Sequence, residues 1–169
     1  MKQDKTTKSQ IRWCLHKRRG ITLEEPNNNL CQAYLKKAHS ALNMLKAAQE
    51  NQEPEWIATT AYYARYFALY ALLQECGIKS EIHDCTIALL EYLFIEEKLI
   101  PKIYHTELEE AKQFRIDTQY YVTEAIDTKR LNDNATKTQH FILQIEEAID
   151  KITAKQITKL RDKLQKQKK

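Results

Sequence analysis

Glycine and proline together supply only five of the 169 residues. So little turn-forming chemistry excludes a fold built from many short strands and tight hairpins. β-Branched residues do not alternate with polar ones over any run, so half-buried strands leave no signal either. The N-terminus is basic, but no apolar h-region follows it, which argues against a secretory leader. The four cysteines (Cys14, Cys31, Cys76 and Cys85) form no C-x-x-C pair and point to no disulfide framework. Cys14 with His16, or His83 with Cys85, are isolated pairs, short of the ligand set a structural zinc site takes. No metal or other cofactor is expected, and a reduced, cytoplasmic protein is the simplest account.

What the chain does have is helical periodicity. Leu30, Tyr34, Ala38, Ala41, Leu45 and Ala48 recur at three- and four-residue steps behind the capping run Asn27 to Asn29. Pro54 suits the first turn of a second helix, which Gly77 ends. Ser80 offers a cap for a third, "EIHDCTIALLEYLFI". Pro101 opens a fourth, carrying Ile103, Leu108, Ala111, Phe114 and Tyr121. A fifth begins near Asp133, with Phe141, Ile142, Ile145, Ile149 and Ile152 inward. Short connections make these neighbours antiparallel, so the fold class is all-α: an up-and-down bundle of four to five helices. The bundle spans residues 26–152, with a basic N-terminal extension, 1–25, and a basic C-terminal extension, 153–169.

Charge follows the same division. Residues 2–19 carry seven Lys/Arg against Asp4, and residues 151–169 carry eight against Asp162; the middle holds twelve against twenty-one acids. Such ends can bind a polyanion such as RNA, or serve as solubilising tails. The stretch "AYYARYFALYALL", 61–73, is apolar or aromatic except at Arg65. A membrane span over Trp56 to Leu73 would place Arg65 near the bilayer centre, costing roughly 2.5–3.5 kcal/mol. It is therefore read as a core helix, central because it is apolar all round. Three neighbours cover three of its sides; the fourth needs the last helix or a second chain.

The run "ATTAYYARYFALYALLQECGIKSEIHDCTIALLEYLF", with "FRIDTQYY" and "ATKTQHFILQIEEAIDKI" after it, resembles the HEPN domain family over about residues 30–152. The resemblance implies a helical bundle that homodimerises around a cleft. Many members are encoded beside a minimal nucleotidyltransferase as toxin–antitoxin pairs. Catalytic members are metal-independent ribonucleases with an arginine followed, four to six residues on, by a histidine. An arginine can hold phosphate oxygens bidentately, and an imidazole can move the ribose proton.

Arg115 matches the arginine, but Tyr120 stands five residues on, where histidine is expected, and Tyr121 follows. Tyrosine titrates near 10, so as a base it starts about 4 kcal/mol behind imidazole. The resemblance therefore implies a dimeric module that binds RNA or nucleotide, or partners a nucleotidyltransferase. The alternative is an active ribonuclease using Arg115 and Tyr120. Gln119, four residues from Arg115, shares its helix face. Tyr121 and Arg65 complete the binding set, with Arg65 expected to pair with an acidic residue of its own or a facing chain. His83 is read as a residue that caps or packs the third helix.

Overall fold

The computed structural model describes residues 6–120 and 125–168. Among these are eight α-helices: α1 (Thr7–His16), α2 (Asn28–Glu50), α3 (Pro54–Glu75), α4 (His83–Leu89), α5 (Ile103–Tyr120), α6 (Thr128–Thr136), α7 (Thr138–Lys151) and α8 (Ala154–Lys168). Asn27 caps α2, its side chain accepting from the Leu30 amide at 3.0 Å. α3 has Pro54 in its first turn and ends ahead of Gly77, whose φ is +65°. A Cβ at Gly77 would come within 2.4 Å of the Glu24 carbonyl oxygen, so the turn needs glycine for space as well as for conformation.

Two features depart from the sequence expectation. Ser80 does not cap α4; it ends β2 (Ile78–Ser80), which pairs antiparallel with β1 (Ile21–Leu23), Ile21 facing Ser80. Three-residue strands are too short to show alternation, so nothing in the pattern announced them. The expected fifth helix is two helices, α6 and α7, divided at Lys137. α4 passes directly into a π-helical stretch over 90–95.

α3 is the axis of the bundle. Fourteen of its 22 residues are buried, and α2, α5, α6 and α7 pack around it. Its fourth side is thus closed by the chain's own last bundle helix, α7.

The described parts of the two basic ends, 6–25 and 153–168, pack onto this core. Ile11 and Cys14 of α1, and Leu160 and Leu164 of α8, are buried within it, and α1 packs against α8. Much of the C-terminal charge has internal partners. Lys163 Nζ donates to the Tyr92 carbonyl at 2.7 Å and to Glu96 at 2.9 Å, and Lys159 pairs with Glu97. One Nη1 of Arg161 donates to the carbonyls of Glu24, Cys76 and Gly77 at 2.7, 3.0 and 2.7 Å, closing the open C-terminus of α3. The exposed basic strip includes Lys8, Arg12, Lys17 and Arg18 in and just after α1 and Lys155, Lys166 and Lys168 of α8, and Arg12 Nε donates to Gln167 Oε1 at 3.1 Å where the two helices meet.

Cys14 and Cys85 form a disulfide that ties α1 to α4 across 71 residues of sequence. This corrects the expectation that the four cysteines form no disulfide. The partners lie in different predicted segments, so spacing could not reveal them. Cys31 and Cys76 are buried thiols, each pushed up to about 12, chiefly by burial, which makes them poor nucleophiles.

Candidate functional site

The buried face of α5 carries Leu108, Ala111, Phe114 and Thr118 toward the core, which brings Arg115 to the edge of α3. Its guanidinium carbon lies 5.3 Å from the ring centroids of both Tyr62 and Tyr63. Aromatic faces attract a cation without neutralising it, so the charge stays available. The Arg115 Nε is buried and has no hydrogen-bond partner among the described residues. An unpaired buried donor on a charged group is costly.

The same pair of tyrosines also meets His83, with ring centroids 5.9 and 6.3 Å away. Tyr62 Oη is 2.6 Å from His83 Nδ1, and the His83 ring stacks on Tyr66 with centroids 4.3 Å apart and planes 11° off parallel. His83 is only half-buried. Burial first, then the Arg115 charge, holds its imidazole below the ordinary histidine value, so it is neutral at pH 7. Burial likewise raises the Tyr62 phenol above its usual value, keeping that hydroxyl protonated. At the rim, Lys112 Nζ meets Asp84 at 2.5 Å.

Tyr120 is not part of this arrangement. It is the last residue of α5, 71% exposed, and lies about 140° around a regular helix from Arg115. The expected Arg115–Tyr120 pair is therefore not brought together. Tyr121 lies outside the described residues. Gln119 does share the Arg115 face, its Nε2 donating to Thr59 Oγ1 of α3 at 3.3 Å.

Arg65 is the clearest correction. It is 0% exposed and so cannot meet a ligand. Nor is its direct partner an acid. Nη1 donates to Asn134 Oδ1 at 2.7 Å and Nη2 to the Asn134 carbonyl at 2.5 Å. Asn134 Nδ2 in turn donates to Glu110 Oε2 at 2.9 Å, while Arg130 holds Glu110 Oε1 at 2.7 Å. Burial lowers Arg65 to about 10, with Glu107 and Glu110 opposing the shift, so it remains charged at neutral pH. The apolar stretch 61–73 of α3 thus buries its one charge against α6, an element the sequence did not mark separately.

Family comparison decides the broader question. The model of the HEPN domain matches residues 31–158. The chain belongs to the HEPN family. The match takes in the HEPN bundle from α2 through the start of α8, together with Arg115 and His83; α1 and β1 lie ahead of it. No curated relative matches the chain. No helix among the described residues is long and apolar enough to cross a membrane, and none of those residues form a cluster of three or more metal-ligating side chains.

His83 packs at the start of α4, as expected. It lies 32 positions before Arg115, outside any motif window, and the packing of α5 on α3, with the contact of His83 on Tyr62, brings the two to one tyrosine pair.

Proposed function

We propose that this HEPN protein is a dimeric module that binds RNA, or the phosphate of a nucleotide, through Arg115. In this reading it partners a minimal nucleotidyltransferase in a toxin–antitoxin pair and does not use Tyr120 for cleavage. The observation that carries the phosphate site is the Arg115 guanidinium, seated on Tyr62 and Tyr63 with its buried Nε unpaired among the described residues. The exposed basic strip on α1 and α8 adds a sequence-independent attraction for a polyanion. α1 approaches the site itself, where Gln10 Nε2 donates to the Asp84 carbonyl at 3.2 Å.

The test is RNA binding and cleavage by the wild type, Arg115→Ala, Tyr120→Phe and Tyr120→His. Arg115→Ala should weaken binding by about 1.5–3 kcal/mol, the range for hydrogen bonds to charged groups. Both Tyr120 variants should bind as the wild type does, and none of the four should cleave RNA at a substantial rate, with or without EDTA. Metal-independent cleavage abolished by Tyr120→Phe would replace this reading with the ribonuclease one.

Dimerisation is supported by a shallow apolar groove between α2 and α3, lined by Met44, Trp56, Thr60, Tyr63 and Phe67. Met44 and Trp56 are each 58% exposed there, and Tyr63 continues from the groove to the ring beneath Arg115. A second copy seated on it would bury a standard interface, roughly 1,200–2,000 Å² in total. Light scattering should give twice the 20.0 kDa chain mass, and Trp56→Glu should return the monomer. A wild type that stays monomeric at micromolar concentration would contradict the dimer.

A further inference from the structure

We propose, on the basis of the phosphate site at Arg115, that His83 is the second ligand of that phosphate and takes up a proton as an RNA phosphodiester binds. The geometry supplies the means. The Tyr62 hydroxyl lies 2.6 Å from His83 Nδ1 and can donate to it when the imidazole is neutral. Rotated, the same hydroxyl accepts from Nδ1–H when the ring is charged. The anchor therefore survives protonation, and Nε2–H is a donor in both states. Stacking on Tyr66 fixes the ring plane, and the residue is only half-buried.

The charges around His83 set the direction of the coupling. From α3 it is faced by Tyr62, Tyr63 and Tyr66, none of them charged, and from α5 by Arg115 and Lys112, both positive. Asp84, its neighbour on α4, is held by Lys112, and Glu81 ahead of α4 is engaged by Arg19 and Lys79. From α1 comes Gln10, which carries no charge. Burial and the Arg115 and Lys112 charges disfavour an imidazolium, while Asp84 works the other way. A bound phosphodiester reverses this, because its negative charge offsets Arg115 and its oxygens accept from the charged ring. Binding and protonation then strengthen one another, as linkage requires.

The experiment measures anisotropy of a labelled single-stranded RNA carrying a 5′-hydroxyl, whose phosphodiesters do not titrate in the range used, from about pH 5.5 to 8. Wild type, His83→Gln and Arg115→Ala are compared. In parallel, the His83 ring protons of the wild type are titrated by NMR with and without RNA. Wild-type affinity should rise as pH falls, by up to about tenfold per pH unit where one proton is taken up. His83→Gln should bind at pH 8 but lose that added pH dependence, and the His83 midpoint should move upward when RNA is present. If RNA binds while the midpoint stays fixed, or if His83→Gln keeps the wild-type slope, the inference is overturned and the Arg115 site stands. Absence of RNA binding at every pH would overturn both. The NMR measurement on the wild type decides the matter even if a variant fails to fold.

Discussion

Reduction of the Cys14–Cys85 bond is expected to lower unfolding stability by about 4 kcal/mol. The figure follows from the 71-residue separation of the two cysteines, since a cross-link that closes so long a loop removes much of the denatured chain's freedom. Oxidised and reduced protein, and the Cys14→Ala/Cys85→Ala variant, should be unfolded in urea side by side. The midpoint should fall on reduction, and the slope with denaturant should rise, because an uncross-linked denatured chain exposes more surface. The folded core should persist, since α1 is also held by Ile11 in the core and by Thr7 Oγ1 donating to Glu91 at 2.9 Å. Identical midpoints for oxidised and reduced chains would contradict the bond's role in holding α1 on α4.

Arg65→Ala is expected to destabilise the fold by a similar amount, about 3–5 kcal/mol, the cavity left by a large buried side chain adding to the cost of an unsatisfied acceptor. The deletion leaves Asn134 Oδ1 without its donor, leaves the Asn134 carbonyl with only the Lys137 amide at 3.1 Å, and opens a cavity beside Phe141. Arg65→Met fills the space but not the hydrogen bonds, so it should fall between wild type and alanine, with about 1–3 kcal/mol lost to unsatisfied acceptors. Denaturant unfolding checks the order. If the methionine variant folds, its RNA affinity should match the wild type, since Arg65 is fully buried. A methionine variant that is stable but has lost RNA binding would return Arg65 to the site.

These two effects mark where the sequence stopped being legible. Helix positions were readable because caps, Pro54 and Gly77 act locally, and the apolar stripes have the helical period. The all-round apolarity of residues 61–73 correctly placed α3 at the centre. The partner of Arg65 was not readable, because a carboxamide on a short helix 69 residues away has no sequence mark. The Cys14–Cys85 bond failed for the same reason. For the site, Arg115 could be found from its motif, and Gln119 from helical spacing. Tyr120 was drawn in by motif spacing alone, although five residues on a regular helix point it away. His83 was visible only as a packing residue until α3, α4 and α5 were seen to converge on Tyr62 and Tyr63.

The basic ends show a related limit. Counting charges marks them as a candidate polyanion surface, but Arg161, Lys159 and Lys163 are occupied in holding α8 to the bundle. Deleting residues 153–169 would strip Leu160 and Leu164 from the core along with the charge. Point substitutions at exposed Lys166 and Lys168 are therefore the clean way to probe that surface.

The most direct test of the central claim is the NMR signal of the Arg115 Nε–H, followed as single-stranded RNA is added to the wild-type protein. That donor is buried and unpaired among the described residues, so a phosphate oxygen arriving at the guanidinium should shift it strongly, together with the ring signals of Tyr62 and Tyr63. If RNA binds and the shifts are confined to the basic strip of α1 and α8, with Arg115 and its two tyrosines unmoved, the phosphate site proposed here is contradicted.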